Sequence, residues 1–167
     1  MKDFEEIYQT YRLDVWRFLL CLTGYEQLTA EELTQETFYQ AFLSLPRFRS
    51  ECQLRTWLFQ IARNVYGNYV RKETRQRQMN TFETETLIHS EMENDVERKE
   101  QMLHLRKAIA QLEEPAKSVV EYRLYSELSY AEIAKLLNIR EGTASVMFNR
   151  AKTKICSYLK EVYGYEI

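Results

Sequence analysis

The sequence predicts an all-α protein: two small helical domains, an N-terminal helical bundle and a C-terminal helix-turn-helix domain, joined by a flexible acidic linker. Three observations carry that expectation. Gly 4 and Pro 2 in 167 residues are too few to punctuate a sheet or a loop-rich fold. Apolar residues recur at helical spacing along most of the chain, and they make up 45% of it, enough for real cores. Charge is segregated although the net charge is only −2. Residues 1–46 carry 3 basic and 8 acidic side chains, residues 47–77 carry 8 and 2, residues 81–102 carry 2 and 7, and residues 117–160 carry 8 and 4. Two basic blocks alternating with two acidic ones point to anionic partners at two places.

The first helix is expected from Phe4 to Leu22, with Ile7, Tyr11, Val15, Phe18 and Leu22 as its buried stripe and Gly24 as its stop. A second opens at Thr29, where Thr29-Ala30-Glu31-Glu32 has the form of a capping box, and closes at Pro46. Leu33, Thr37, Phe38, Ala41, Phe42 and Leu45 supply its inward side; Glu32, Gln35, Glu36 and Tyr39 fall on other faces. Residues 46–53 break the pattern. A third helix runs from Leu54 to Thr74 on the stripe Leu54, Trp57, Leu58, Ile61, Val65 and Tyr69. Residues 79–102 turn polar and acidic, as a linker does, so the domains are expected at 1–78 and 103–167. Leu87-Ile88 is the one apolar pair there able to dock, and helix can resume from Asn94.

Beyond the linker, Leu103, Leu105, Ile109 and Leu112 mark a fourth helix, and Pro115 to Tyr125 a fifth. Ser129-Tyr130-Ala131-Glu132 is a second capping box, opening a short helix through Leu137. Asn138 to Gly142 form a turn, and a last helix covers Thr143 to Val162 on the stripe Ala144, Phe148, Ala151, Ile155 and Leu159. A short capped helix, a tight turn and a longer basic helix have the form of a helix-turn-helix.

Three constellations carry chemistry. On the last helix, Thr143, Ser145, Val146, Asn149, Arg150, Lys152 and Lys154, with Ser129 at the cap before it, suit duplex DNA: Asn149 pairs with adenine, Arg150 with guanine or phosphate. Aromatics interleaved with cations at Arg47, Phe48, Arg49, Arg55, Trp57, Phe59, Arg63, Tyr66, Tyr69, Arg71 and Lys72 suit single-stranded nucleic acid, with Asn64 supplying an amide to read a base edge. An acidic patch, Glu31, Glu32, Gln35 and Glu36, lies beside Leu33 and Tyr39. The competing reading of each is an ordinary solvated helix face, with Trp57 and Tyr69 of the second set as core residues. The sequence shows no phosphate loop, no nucleophile beside a base and no metal-ligand spacing, so no enzyme activity, metal or cofactor is expected. Cys21, Cys52 and Cys156 are too dispersed for a disulfide framework. With no signal peptide and no membrane span, a cytoplasmic protein without direct membrane insertion is expected.

These pieces, in this order, resemble the extracytoplasmic-function sigma factors of the sigma-70 family. Glu32-Leu33-Thr34-Gln35-Glu36-Thr37-Phe38 looks like the family's polymerase-binding helix. Phe48-Arg49-Ser50, with Arg55 through Asn64, looks like its strand-opening loop and −10 reader. Leu128 through Ala134, with Glu141-Gly142-Thr143 and Arg150-Ala151-Lys152, looks like its −35 reader. The resemblance implies polymerase contacts at Glu32, Leu33, Gln35, Glu36 and Tyr39, and −10 contacts at Arg47, Phe48, Arg49, Arg55, Trp57, Arg63, Asn64, Asn68, Arg71 and Lys72. It implies −35 contacts at Ser129, Thr143, Ser145, Val146, Asn149, Arg150, Lys152 and Lys154. The implied partners are core RNA polymerase, promoter DNA (duplex at −35, partly single-stranded at −10) and an anti-sigma factor. A dimeric helix-turn-helix regulator would explain only residues 115–160, and a polymerase-occupying antagonist only the acidic helix.

The chain departs from the family after Gly142-Thr143, where basic residues are usual and Ala144-Ser145-Val146-Met147 stands instead. A −35 preference unlike the commoner ones is expected, resting on Asn149, Arg150 and DNA shape. Ser145→Ala and Asn149→Ala should each change the profile of bound −35 sequences; a profile unchanged by both overturns this.

Overall fold

The computed structural model describes residues 3–79 and 96–167. Two compact units, Met1–Met92 and Glu93–Ile167, divide the chain. The expected linker lies largely outside the described residues, Leu87-Ile88 included, whereas Val96 to Met102 are already helical.

In the first unit, α1 (Phe4–Leu22) buries Ile7, Val15, Phe18, Leu19 and Leu22, with Tyr11 only half-covered. It stops as expected: Gly24 and Tyr25 both take positive φ, and the Tyr25 amide reaches back to the Leu20 carbonyl at 2.8 Å. The next helix, α2 (Gln27–Ser44), opens two residues before Thr29, and the expected capping box does not form. The Thr29 hydroxyl instead donates to the Glu26 carboxylate at 3.2 Å and bonds the Tyr69 hydroxyl. A hydroxyl already used between helices is lost to the backbone amides it would have capped. Ala30, Leu33, Thr34, Thr37, Phe38 and Ala41 face inward on α2. The buried Thr34 and Thr37 hydroxyls donate to the Ala30 and Leu33 carbonyls, each at 2.7 Å, so neither is an unpaired polar group. Phe42, expected in the core, is exposed, its ring set edge-on to Phe4 at 5.1 Å. Leu45 is only half-buried, at the start of a 3-10 turn (Leu45–Arg47) that holds Pro46 as its second residue.

α3 (Leu54–Met79) runs five residues past Thr74, because nothing between Thr74 and Met79 breaks a helix and arginine and glutamine favour one. Its buried stripe is Thr56, Leu58, Phe59, Ala62 and Val65, rotated from the expected one; Leu54, Trp57, Ile61 and Tyr69 are half-buried. Phe59, grouped above with base-stacking aromatics, is a core residue at 1% exposure. Its ring meets Phe18 edge-to-face at 5.2 Å. All three helices pack pairwise, closing a small bundle.

In the second unit, α4 (Val96–Ala110), α5 (Ala116–Tyr125) and α6 (Tyr130–Leu137) gather on the long α7 (Glu141–Tyr163). Ala108, Ile109, Val120, Ala151 and Ile155 form a core, flanked by Leu105, Leu112, Phe148 and Leu159. Leu103, expected with them, is exposed: two residues before Leu105, it points to the other side of α4. The second capping box does form, the Glu132 amide donating to the Ser129 hydroxyl at 3.2 Å and the Ser129 amide to the Glu132 carboxylate at 2.8 Å. Asn138, at φ 53, turns the chain, and the Ile139 amide closes the turn on the Ala134 carbonyl. α7 opens at Glu141, before the expected Thr143, because the extended Arg140 caps it and its carbonyl accepts the Ala144 amide at 3.0 Å.

Truncating Phe59 removes a ring from a closed core. Phe59→Ala should cost the first unit about 3–5 kcal/mol. Both tryptophans, Trp16 and Trp57, belong to that unit. Urea unfolding followed by their fluorescence therefore reads the loss directly, and a shift below about 1 kcal/mol would contradict this packing.

Candidate nucleic-acid and polymerase interfaces

The rotation that buries Phe59 turns a polar stripe of α3 outward. Asn64, Asn68, Arg71 and Lys72 are all exposed, at i, i+4, i+7 and i+8. The Arg71 guanidinium donates to the Asn68 side-chain carbonyl, so the two act as one polar surface. Arg63 is partly exposed on the flank of this stripe. At the start of α3 the loop after the 3-10 turn folds back: the Phe48 amide bonds the Leu45 carbonyl at 3.1 Å and the Trp57 amide bonds the Gln53 carbonyl at 3.0 Å. That closure brings Phe48 and Trp57 together at 4.8 Å between rings, both half-exposed, with Arg47 and Arg49 exposed beside Phe48. A partly exposed aromatic pair, its rings tilted by 38°, flanked by cations is an arrangement that can hold unpaired bases.

Besides the buried Phe59, two residues of the expected set stand elsewhere. Arg55 lies nine residues before Asn64, about 180° around the helix. Its guanidinium sits over the Phe59 ring at 4.7 Å and 3.7 Å from the Asp14 carboxylate of α1, so it braces the bundle. Tyr69 holds Thr29 of α2; burial, and then the Glu73 carboxylate, push its phenol above the usual range. Tyr69 already fell on the expected apolar stripe, whereas Arg55 was not separable by spacing alone, because the stripe could rotate until Phe59 fixed it.

On α2, Glu32, Gln35, Glu36 and Tyr39 are exposed on one face, and the Gln40 amide donates to Glu36 at 2.8 Å. Leu33 is turned inward at 7% exposure and takes no part in that face. One residue on from Glu32, it is rotated by about 100°, toward α1 and α3. Leu28 at 80% and Leu43 at 51% exposure extend the face at both ends. Neither leucine was anticipated, although the spacing 28, 32, 35, 39, 43 is that of one helical face. An acidic strip with apolar ends suits a protein surface rather than DNA.

On α7, Thr143, Val146, Asn149 and Arg150 are exposed opposite Ala144, Ala151 and Ile155; Lys152 and Lys154 are exposed on its flanks and Ser145 partly so. Thr153, not anticipated, lies on the same side, its hydroxyl donating to the Asn149 carbonyl at 3.2 Å. Ser129 is exposed but already engaged as the α6 cap. The Arg123 guanidinium donates to the Leu128 carbonyl at 3.0 Å and covers the Tyr130 ring, which in turn lies 5.9 Å from Phe148 of α7. This chain of contacts sets the angle between the two helices of the helix-turn-helix. Among the described residues no group of side chains could hold a metal ion, and no helix is long and apolar enough to cross a membrane.

Residues 7–76 match the family model of Sigma-70 region 2, and residues 103–155 that of Sigma-70, region 4. The chain is 30% identical over 155 residues to the ECF RNA polymerase sigma factor SigM of Bacillus subtilis (strain 168), covering 90% of this chain and 91% of that one. It is 30% identical over 152 residues to the ECF RNA polymerase sigma factor SigC of Mycobacterium tuberculosis, covering 90% and 80%. The sigma factor RpoE of Bartonella quintana, co-crystallised with the anti-sigma factor NepR, shares the fold with a TM-score of 0.69 at 24% identity, over 96% of this chain and 98% of that one. CnrH, solved with the cytosolic domain of CnrY, shares it at 0.67 and 16% identity, over 95% and 88%.

Arg55 and Arg71 should part company on substitution. Arg55→Met removes a half-exposed ion pair and a cation–π contact and should cost about 1 kcal/mol of stability, leaving DNA affinity unchanged. Arg71→Ala should do the reverse. Urea unfolding and promoter-fragment binding measured on both variants check this; a DNA defect in Arg55→Met would return that residue to the DNA face.

Proposed function

The chain belongs to the extracytoplasmic-function branch of the sigma-70 family, and on that premise we propose how its surfaces divide the work. It is a promoter-directing subunit of RNA polymerase, with core polymerase, promoter DNA and an anti-sigma factor as partners. Its own contribution is binding and positioning; nucleotide addition stays with the core, and the cytoplasm is where both are met.

Residues 1–78 dock on the core and open the −10 element, 79–102 connect, and 103–167 read the −35 element. Glu32, Gln35, Glu36 and Tyr39 of α2 contact the polymerase clamp, with Leu28 and Leu43 at the edges. Phe48 and Trp57 stack on bases of the displaced strand, a contact worth about 1–3 kcal/mol per base. Asn64 and Asn68 read an extruded base edge, while Arg47, Arg49, Arg63, Arg71 and Lys72 neutralise phosphates. In the major groove at −35, Thr143, Ser145, Val146, Asn149 and Arg150 face the bases, and Lys152, Lys154 and the Ser129 turn face the backbone.

The observation that carries this reading is the outward amide and cation stripe of α3 beside the Phe48–Trp57 pair, on the same chain as a helix-turn-helix. A dimeric duplex-binding regulator would leave that stripe and the α2 face without a ligand. Core polymerase supplied with this protein and a random-promoter library should yield new start sites sharing two upstream elements. Duplex binding without new starts would favour the dimeric regulator.

A further inference from the structure

α7 exposes two large apolar side chains, Val146 at 48% and Val162 at 53%. Val162 lies in the last turn, beyond the residues proposed for DNA, whereas Val146 stands in the second turn among them. At about 100° per residue, Ile155 is turned about 180° from Val146 and Ala144 about 200°. Both are buried, so Val146 points straight out from the unit. Thr143, Asn149, Arg150 and Thr153 all fall within about 60° of it, and Lys152 and Lys154 lie to either side. All six are exposed. The centre line of the surface proposed to enter the groove therefore carries an apolar group. No charged residue occurs from Thr143 to Asn149, so the exposed side chains of this stretch offer a hydroxyl, methyl groups and one amide.

We propose that Val146 selects a thymine in the −35 element by packing on its 5-methyl group. This rests on the proposed −35 role of α7 and names the base feature that one of its positions reads. Among the groups a base pair shows in the major groove, the thymine methyl is the apolar one. A valine has no hydrogen bond to offer, so opposite any other base edge it would cover a donor or acceptor without satisfying it. Opposite the methyl, both partners remove apolar surface from water. The branched Cβ keeps χ1 in one well on a helix, so the side chain is set before DNA arrives and loses little freedom on contact. Asn149, three residues on, supplies the hydrogen-bonded part of the readout beside it.

Core polymerase carrying the full chain is titrated with promoter fragments bearing the −35 sequence enriched from the random library. Each thymine of that element is replaced in turn by deoxyuridine, which lacks the methyl alone. For the parent, one replacement should weaken binding about fourfold, the scale of a single methyl group removed from water. Val146→Ala should bind the unmodified duplex more weakly by a similar factor and lose nothing further at that deoxyuridine. Val146→Ile, which keeps the apolar contact, should keep the methyl dependence. An enriched element without thymine, a parent indifferent to every replacement, or a loss that persists in Val146→Ala overturns the assignment. Asn149→Ala tests the underlying reading separately. An unaltered −35 preference in that variant removes α7 as reader and Val146 with it; an altered preference with methyl-indifferent binding removes Val146 alone.

Discussion

The edge-to-face contact of Phe18 and Phe59 fixes the rotation of α3, and that rotation decides what the first unit offers to solvent. A helix of 26 residues in a three-helix bundle can bury one stripe. Once Phe59, Ala62 and Val65 point inward, Asn64, Asn68 and Arg71 must point out, and Arg55 must turn toward Asp14. The proposed DNA surface is in this sense a consequence of the core. The same geometry lifts Trp57 to the edge of the bundle, where Phe48 covers one of its sides and solvent meets the rest.

α2 serves two masters with one helical repeat. Its inward residues include two threonines whose hydroxyls bond their own helix, so a face that is partly polar by composition packs without an unpaired group. Its outward residues alternate carboxylate, amide and apolar ring. Polar inward positions and apolar outward ones blur the contrast between faces, which is why periodicity alone misassigned Phe42, while Leu33, inward by its spacing, was carried to the outer face only by the resemblance.

The second unit relies on short-range chemistry. A reciprocal cap starts α6, Asn138 in the left-handed region turns the chain, and Arg123 ties Leu128 and Tyr130 together ahead of Phe148. These interactions span only a few residues, apart from the last, and they hold the recognition helix at an angle a flexible turn would not keep. α4 and α5 complete the core beneath it, leaving the outward side of α7 clear.

The sequence by itself determined the helical class, the order of the elements, the Ser129 cap and most of the outward residues of α7. Each of these follows from local spacing or from hydrogen bonds within four residues, which a linear reading contains. The tertiary structure alone decided the rotation of α3, the employment of Thr29 by Tyr69, the outward turn of Phe42 and the separation of Arg55 from the proposed DNA stripe. Those outcomes depend on partners from other helices, such as Phe18 and Asp14 for α3. A helical stripe can rotate by one residue at little local cost until such a partner selects one setting.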